Sequence, residues 1–368
     1  MFFEISISVI MPVYNTPIIF LQTAVESILK QTFQEFEFII VDDGTTNTCK
    51  KYLERLKDPR IRIIHNEKNL GITKSLNIGL KVARGKYIAR MDSDDISLPD
   101  RLKAQYDFME QHPDVIVCGS KTGKVGDISH PYSLSGKYRI EDMEMYRIKL
   151  LFANPGPVHP TAFFQHEKLI RHHIMYDEGL YYAQDYGMWE TISHYGMVCF
   201  LEDVLLLRRE HENQITKAHR ERQIQCDKKT QRKLLIDLLG NVTDEELDMH
   251  YIHSTGNYPN ATIKPVVSEW YERIINANDQ RHLYNKRKLN KYVQKIIKKL
   301  VSHSFKKNMS KLEKTYLIFQ YLPIFTAIKM TSEIVFVKVQ SSGKSLLNKY
   351  KHVGSVKSKK IFEGKRNG

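Results

Sequence analysis

The sequence has few cysteines, no long apolar run and few acidic residues near its C-terminus. The cysteines are scattered and none has CxxC spacing, which argues against a zinc site or a disulfide framework and fits a reducing compartment. The longest uncharged run, residues 315–328, contains Pro323 and has 14 residues, whereas a membrane-spanning helix needs about 20. The sequence therefore predicts a protein without a transmembrane segment. The four cysteines are Cys49, Cys118, Cys199 and Cys226.

The shortage of acidic residues is confined to the last quarter of the chain. Residues 281–368 contain 22 Lys and Arg but 3 Asp and Glu, while residues 1–280 contain 34 and 39. The net charge of +14 therefore comes from the tail, and the body is mildly acidic. The nucleotide-binding patterns GxGxxG and GxxxxGK[ST] are also absent, and no internal repeat is visible.

Residues 5–120 alternate short apolar stretches with helical patterns. Continuous apolar strands separated by helices of about 10–15 residues predict an α/β fold with a mostly parallel sheet covered on both faces. Ligands of such sheets bind at the carboxyl ends of the strands. Polar residues follow three of the predicted strands there, at Pro12–Asn15, Asp42–Asp43 and Asp92–Asp95. The predicted strands are ISISVIMPV, FEFIIVDD, RIRIIHN, KYIARMD and DVIVCGS.

The aspartates after the second and fourth strands each allow two interpretations. Asp92 and Asp94 are two apart, so in an extended chain both carboxylates project to one side and could share a Mg²⁺ or Mn²⁺ ion. They could equally be acids before the helix that Pro99 opens. Asp42 and Asp43 could likewise bind a ligand or cap the next helix. Two acidic strand ends in one sheet favour a ligand site.

Several segments together resemble a known family. They are ISVIMPVYN, FEFIIVDDGT, NLGITKSLNIGLKVARGKYIARMDSDD and LPDRL. These segments look like the inverting nucleotide-sugar glycosyltransferases of family 2, which have the GT-A fold. The resemblance is specific over residues 5–120 and thinner up to residue 216.

The resemblance implies a pocket for a uracil nucleotide at the strand ends. Pro12 and Tyr14 would line the base pocket, with the ring of Tyr14 against uracil. Asp43 would bond the polar edge of the base, and Asp42 would order that edge or the ribose. Asn69 would help to shape the loop before the next helix.

The resemblance also implies residues for the diphosphate and its metal ion. Lys74, on the helix after Gly71, would reach the pyrophosphate. Asp94 would bind Mn²⁺ or Mg²⁺ directly, and Asp92 would act through water or on the ribose. His211, in the segment REHENQIT, would approach the metal or the pyrophosphate. Asp95 would help to shape the turn.

The family's catalytic base lies in an acidic-Asp-aromatic motif, which AQDYGMW resembles here. This match assigns Asp185 as the base that takes a proton from the acceptor hydroxyl. The segment departs from the usual pattern, because Gln184 replaces a common Glu and Gly187 replaces a common acid. The alternative role of Asp185 is an N-cap for the helix that follows.

The resemblance implies three regions and a function. Residues 1–216 would form the GT-A domain, with a nucleotide-sugar half at 5–120 and an acceptor half at 121–216. A helical basic region would cover 217–353, and 354–368 would be a disordered tail. The enzyme would move a hexose or N-acetylhexosamine from a nucleotide-sugar, expected to be a UDP-sugar, to a saccharide or polyprenyl-diphosphate-linked acceptor in bacterial surface polysaccharide biosynthesis (capsule, O-antigen or lipooligosaccharide). Alternatives are a sugar nucleotidyltransferase and a degenerate transferase fold that serves as a membrane partner.

The basic tail contains one amphipathic helix pattern. Apolar residues recur on one helical face between Leu289 and Val301, and lysines lie off that face. Such a helix could bind an anionic membrane surface or pack on the catalytic domain with its lysines in solvent. Nucleic acid is not an expected partner, because no known motif accompanies the charge. We therefore expect a cytoplasmic protein that is peripheral on the inner face of the cell membrane.

Overall fold

The structure, a computed structural model, describes residues 5–46, 48–126, 134–210, 219–255 and 266–303. These residues fall in two compact units. The first contains the described residues up to 255 together with 272–292, and the second contains 266–271 and 293–303. Everything that concerns the candidate site lies in the first unit.

The first half of the sheet is parallel. Strands β1 (Ile5–Val13), β2 (Phe36–Asp42), β3 (Ile61–His65) and β4 (Gly85–Arg90) pair in the order β3-β2-β1-β4. Every residue of β2 is buried, as the continuous apolar run predicts for a strand covered on both faces. Because the four strands run in one direction, the residues after β1, β2 and β4 meet at one edge of the sheet.

The helices between these strands bury one apolar face each. In α1 (Ile18–Leu29), the side chains of Leu21, Val25 and Ile28 are fully buried, as their spacing predicts. The other connecting helices of this half are α2 (Thr48–Leu53), α3 (Ile72–Val82) and α4 (Arg101–Gln111). The alternation of strands and helices predicted over residues 5–120 is confirmed, although α4 begins at Arg101, two residues after Pro99.

The second half of the sheet is mixed. Strand β8 (Phe163–Gln165) lies between β4 and β6 (Val115–Lys124) and is antiparallel to both, whereas β6 and β9 (Met197–Arg208) are parallel. The short strands β5 (Ile96–Ser97) and β7 (Tyr138–Ile140) pair antiparallel with β9. The expected α/β fold is confirmed, and the described residues form a sheet of nine strands.

Helices of the second half pack on one another beside the sheet. Two buried side chains bond the last carbonyl groups of α5 (Met143–Phe152): Gln231 Nε2 donates to Phe152 O at 2.6 Å, and His250 Nε2 lies 2.9 Å from Leu151 O. These contacts fix two later helices against α5. The helices are α5 (Met143–Phe152), α6 (His166–Arg171), α7 (Gln184–Ile192), α8 (Arg220–Leu239) and α9 (Asp244–Thr255).

The chain continues with α10 (Val266–Arg281) and α11 (Lys286–His303), which contains the helix predicted from the tail pattern. The first turns of α11 pack on α5 within the first unit. Leu289 is fully buried, the ring of Tyr292 lies 5.2 Å from that of Phe152, and Lys288 Nζ lies 2.6 Å from Asp142 Oδ2. Within the described part of the chain, every helix is too short or too polar to cross a bilayer. The apolar run at 315–328 and the predicted tail at 354–368 lie outside the described residues.

Candidate functional site

Two adjoining pockets open at the carboxyl edge of the parallel strands. The strand-end pocket, of about 390 Å³, lies beside the ends of β1 and β2. The Asp185 pocket, of about 500 Å³, lies between β4 and the start of α7. Four residues line both pockets and therefore mark their junction: Ile72, Asp92, Asp94 and Tyr182.

The strand-end pocket is lined by most of the residues that were assigned to the nucleotide. Pro12 and Tyr14 at the end of β1 line it, and the side chain of Tyr14 is largely exposed there. Asp43 and Asn69 line it from the end of β2 and from the loop before α3. The parallel sheet predicted from the sequence thus brings together residues that are far apart in the chain.

Asp43 is buried and organises the loop that leads into α3. Its Oδ1 accepts hydrogen bonds from Asn66 Nδ2 and from the N–H of Leu70, both at 2.8 Å. Its Oδ2 accepts the N–H of Gly71, also at 2.8 Å. Three donors hold this carboxylate in one orientation, so Asp43 presents a fixed edge to the pocket.

Asp42 has a different environment from Asp43. Its Oδ1 accepts the N–H of Thr45 at 2.9 Å, and its Oδ2 lies 2.8 Å from Nδ1 of His65. Asp42 is buried and lines neither pocket. Its contacts stabilise the turn after β2, and α2 begins only at Thr48, so Asp42 supports the strand-to-helix turn without capping the helix.

Three carboxylates lie together where the pockets meet. Asp92, Asp94 and Asp95 each place one oxygen within 4.8 Å of the others. They precede the first helical residue, Arg101, by at least six positions, and Asp100 occupies the N-cap of α4. The interpretation of these acids as the start of α4 is therefore wrong. Carboxylate oxygens at this spacing suit a hard divalent cation such as Mg²⁺ or Mn²⁺.

Asp95 is the most buried of the three. Its Oδ1 accepts the N–H of Arg209 at 3.0 Å, which joins the acidic turn to the end of β9. Burial, followed by the negative charges of Asp92 and Asp94, raises the pKa of Asp95 to about 7. The expected part of Asp95 in shaping this turn agrees with these contacts.

A buried arginine lies directly below the acidic cluster. Arg90, the last residue of β4, is 3% exposed, and its Nη1 lies 2.5 Å from Oδ2 of Asp92. Burial lowers the pKa of this guanidinium, but the neighbouring carboxylate of Asp92 outweighs burial and the net shift is upward. A cationic group here offsets part of the repulsion among the aspartates. In the sequence it is a basic residue that ends an apolar strand, and that position was the one signal that could have indicated it.

Asp185 is the second residue of α7 and is partly buried. The N-cap of the helix is Ala183, so the N-cap interpretation of Asp185 is wrong. Its Oδ2 accepts a hydrogen bond from Asn154 Nδ2 at 3.0 Å, and its Oδ1 accepts the N–H of Tyr186 at 2.9 Å. Burial raises the pKa of Asp185, and the hydrogen bond from Asn154 opposes that rise. Asn154 was not predicted, because it lies 31 positions earlier in the chain.

Gln184, beside Asp185, also lines this pocket. It is 8% exposed, and its Oε1 has no hydrogen-bond partner among the described residues. A buried amide oxygen without a hydrogen-bond donor is an unsatisfied acceptor, and a hydroxyl group could donate to it. Gln184 replaces the usual Glu of the family motif, so this position still carries a polar side chain.

Two further residues were assigned to the diphosphate. Lys74, on α3, lines neither pocket, and its Nζ lies 3.8 Å from Oε2 of Glu178. His211 lies outside the described residues. The roles of both at the diphosphate stay predictions.

Two neighbouring tyrosines before α7 were not predicted. Tyr181 and Tyr182 both line the strand-end pocket, and their ring centroids are 4.8 Å apart. Tyr182 also lines the Asp185 pocket and accepts a hydrogen bond from Arg222 at 3.2 Å. The sequence shows the pair as YY immediately before AQD, but nothing local to that segment indicates that it returns to the end of β1.

Comparison with known proteins identifies relatives of this chain. Residues 8–173 match the family described as Glycosyl transferase family 2. An uncharacterized glycosyltransferase of Haemophilus influenzae is 28% identical over 282 residues, which cover 72% of this chain and 85% of that protein. The amylovoran biosynthesis glycosyltransferase AmsE of Erwinia amylovora is 31% identical over 210 residues, which cover 54% of this chain and 73% of AmsE.

A solved structure shares the fold of this chain. The structure of S. aureus TarS 1-349 in complex with UDP-GlcNAc has a TM-score of 0.54 to this chain at 18% sequence identity. The match covers 92% of this chain and 93% of that chain. This likeness concerns the fold, and it agrees with the mixed sheet and flanking helices described above.

Proposed function

Because the chain belongs to glycosyltransferase family 2, we propose that it transfers a sugar from a UDP-sugar to a saccharide or lipid-linked saccharide, with inversion at the anomeric carbon. The observation that carries this proposal is the position of Asp185. Its carboxylate lines the same pocket as Asp92, Asp94 and Asp95. A base and a cluster of oxygen ligands thus share one cavity large enough for two reacting groups.

The acidic cluster fits a divalent cation. Three carboxylate oxygens within 4.8 Å of one another provide hard ligands, and such ions take their remaining ligands from water and phosphate. Asp94 and Asp92 would hold the ion. When bound, Mn²⁺ or Mg²⁺ supplies positive charge that stabilises the departing nucleoside diphosphate.

Asp185 has the environment of a general base. In the proposed reaction the acceptor oxygen forms a bond to the anomeric carbon, the bond from that carbon to the UDP oxygen breaks, and the hydroxyl proton passes to Asp185. Burial raises the pKa of Asp185 and makes it a stronger base than an exposed aspartate. The hydrogen bond from Asn154 favours the ionised form that accepts the proton.

The strand-end pocket suits the nucleoside of the donor. Tyr14 offers an aromatic face, and Asp43 offers a carboxylate to the N–H of a uracil base. Asn69 lines the same pocket, while Asp42 supports the turn beside it. The UDP-GlcNAc complex of TarS supports the choice of a UDP-sugar.

We infer a place in bacterial surface polysaccharide biosynthesis. The support is the similarity to AmsE, which is named for amylovoran biosynthesis. If the acceptor is carried on a membrane lipid, a basic tail that binds the membrane would bring the enzyme to it. The tail, including the lysines of α11, would attach the enzyme to the anionic inner face of the membrane. Because the first turns of α11 pack on α5, this attachment would involve residues beyond them.

A sugar nucleotidyltransferase is the second candidate, because it also uses aspartates and a metal on a similar sheet. It would be expected to have a Gly-rich basic loop after the first strand, where this chain has MPVYNTP. The residues from Pro12 to Pro17 all line the pocket there, and none of them is a lysine or arginine. This composition disfavours binding of a nucleoside triphosphate.

A panel of donors tests the proposal. The purified full chain would be incubated with UDP-, GDP- and dTDP-sugars in Mn²⁺, Mg²⁺ or excess EDTA, and the released nucleoside diphosphate would be measured. We expect release of UDP from at least one UDP-sugar with metal and none in EDTA. Release of pyrophosphate from UTP and a sugar 1-phosphate would instead support the nucleotidyltransferase. Full activity in excess EDTA would contradict the metal site.

A further inference from the structure

We propose that Tyr181 forms a second aromatic wall of the strand-end pocket and that the nucleobase binds between its ring and that of Tyr14. This inference rests on the proposed function, since it concerns the nucleotide part of the donor. It assigns a binding role to a residue that the sequence motifs did not indicate.

The first support is the close contact between Tyr181 and the backbone of Gly71. A β-carbon placed on Gly71 would lie 1.9 Å from Cε2 of Tyr181 and 2.4 Å from its hydroxyl oxygen. The ring therefore rests directly on the glycine, at a position that any larger residue would occupy. Gly71 also has a φ of +93°, which favours glycine on its own.

The second support is the way the segment that carries Tyr181 is tied to α3. The side chain of Asn77 makes two hydrogen bonds of 2.9 Å to the backbone of Tyr176, one to its carbonyl oxygen and one from its N–H. Five positions further on, Tyr181 lies over Gly71, at the N-cap of the same helix. The ring is thus anchored to the helix whose first turn borders the pocket.

The third support is exposure. Tyr14 is 50% exposed and Tyr181 is 36% exposed, although both line a cavity of about 390 Å³. Burial raises the pKa of Tyr181, and Tyr182, Asp43 and Tyr14 add to that rise. Two exposed aromatic rings in one pocket beside a fixed carboxylate suit a flat, polar-edged ligand.

The chemistry of a nucleobase fits this arrangement. A base has two π-faces that stack on aromatic side chains, and one such stacking contact is worth about 5- to 150-fold in affinity. Asp43, held by the N–H groups of Leu70 and Gly71, supplies an acceptor for the base edge. Stacking contributes affinity, and the carboxylate contributes preference for a base with an N–H at that edge.

The test compares two substitutions of Tyr181 that separate stacking from packing. Tyr181→Phe keeps the ring, whereas Tyr181→Leu keeps an apolar side chain on Gly71 but has no π-face. Calorimetry with the full chain in Mn²⁺ would measure the Kd of UDP for both, and of inorganic pyrophosphate as a probe without a base. We expect Tyr181→Leu to bind UDP about tenfold more weakly or worse, with pyrophosphate unchanged, and Tyr181→Phe to stay within about threefold of the wild type.

Controls and contrary outcomes are defined by the same measurements. Tyr195→Leu removes a tyrosine that is 43% exposed but lines neither pocket, and it should leave UDP binding unchanged. Equal UDP affinity of Tyr181→Leu and the wild type would overturn the inference alone. An equal loss for UDP and pyrophosphate would also overturn it, because the ring would then only support the loop. If the wild type binds none of UDP, CDP, ADP and GDP, both the inference and the proposed function fail.

Discussion

The carboxylate of Asp43 accepts the backbone N–H of Gly71 in a hydrogen bond of 2.8 Å. This bond joins the end of β2 to the N-cap of α3, and Tyr181 lies on the other side of the same glycine. The carboxylate of Asp43 therefore borders the strand-end pocket itself and also holds the glycine on which the ring of Tyr181 rests. Its neighbour Asp42 is also buried, but its two contacts, with Thr45 and His65, lie away from that pocket, so the two aspartates form a natural pair for comparison.

We expect Asp43→Asn to weaken UDP binding and Asp42→Asn to leave it nearly unchanged. The amide at position 43 replaces one acceptor oxygen by a donor, which cannot pair with the N–H groups that it faces. Losing a hydrogen bond to a charged group costs about 1.5–3 kcal/mol. Both variants should lower the free energy of unfolding, measured by urea denaturation. Equal UDP affinities of the two variants would argue against a binding role for Asp43.

Removing Asp94 should abolish the metal-dependent part of UDP binding. Asp94→Ala deletes one of the three oxygens that lie within 4.8 Å of one another, so a bound cation loses a ligand. Calorimetry with UDP in Mn²⁺ and in EDTA would show a difference for the wild type and little difference for the variant. Asp107→Ala, which removes an exposed acid on α4, is the matched control. A variant with undiminished metal dependence would place the ligands elsewhere.

The Asp185→Asn variant should fold, bind UDP and lose most transfer. Asparagine has nearly the same shape but cannot accept the proton of the acceptor hydroxyl, and a general base typically contributes 10²–10⁴-fold. The expected result is a fall of that size in kcat with an unchanged Kd for UDP. Near-normal turnover would mean that another group is the base, and Asp177 and Glu178 would be replaced next.

The pH dependence of transfer should move when Asn154 is replaced. Burial raises the pKa of Asp185 and the Asn154 hydrogen bond lowers it, so Asn154→Ala should raise that pKa further. Since the ionised carboxylate is the active form, the acidic limb of kcat/KM should shift to higher pH, by roughly one unit. Activity should fall most below that limb and least at high pH. A limb that stays in place while activity falls uniformly would indicate that Asn154 acts in another way.

Membrane attachment can be tested without disturbing the first turns of α11. Two variants suit this purpose: a chain that ends after His303, and a chain in which Lys295, Lys298 and Lys299 are replaced by Gln. Each lysine near an anionic surface contributes about 1 kcal/mol, so both variants should co-sediment less with anionic vesicles. Binding of the full chain should weaken as salt rises, because screening acts over about 8 Å at physiological ionic strength. Equal sedimentation with neutral and anionic vesicles would contradict the electrostatic attachment.

The sequence predicted the strand-end pocket better than the Asp185 pocket. Strands β1, β2 and β4 were recognisable from continuous apolar runs, and parallel pairing necessarily brings their carboxyl ends to one edge. Tyr14, Asp43 and Asp92 could therefore be placed together before any contact was known. The partners of Asp185 could not, because α5, α7 and the loop that contains Asn154 have no pairing rule that relates their positions.

Local patterns decided the secondary structure and the chemistry of single residues in this protein, because a strand or helix depends on side chains within a few positions. The sequence alone thus determined the alternating α/β order and the acidic turn after β4, and it was sufficient to recognise the family that the chain resembles. Tertiary packing decided which groups act on one another. It placed Arg90 against Asp92, Asn154 against Asp185, and Tyr181 on Gly71, where a β-carbon would lie 1.9 Å from the ring. The last two contacts join residues 31 and 110 positions apart, and such contacts depend on how whole elements pack, which no local pattern records.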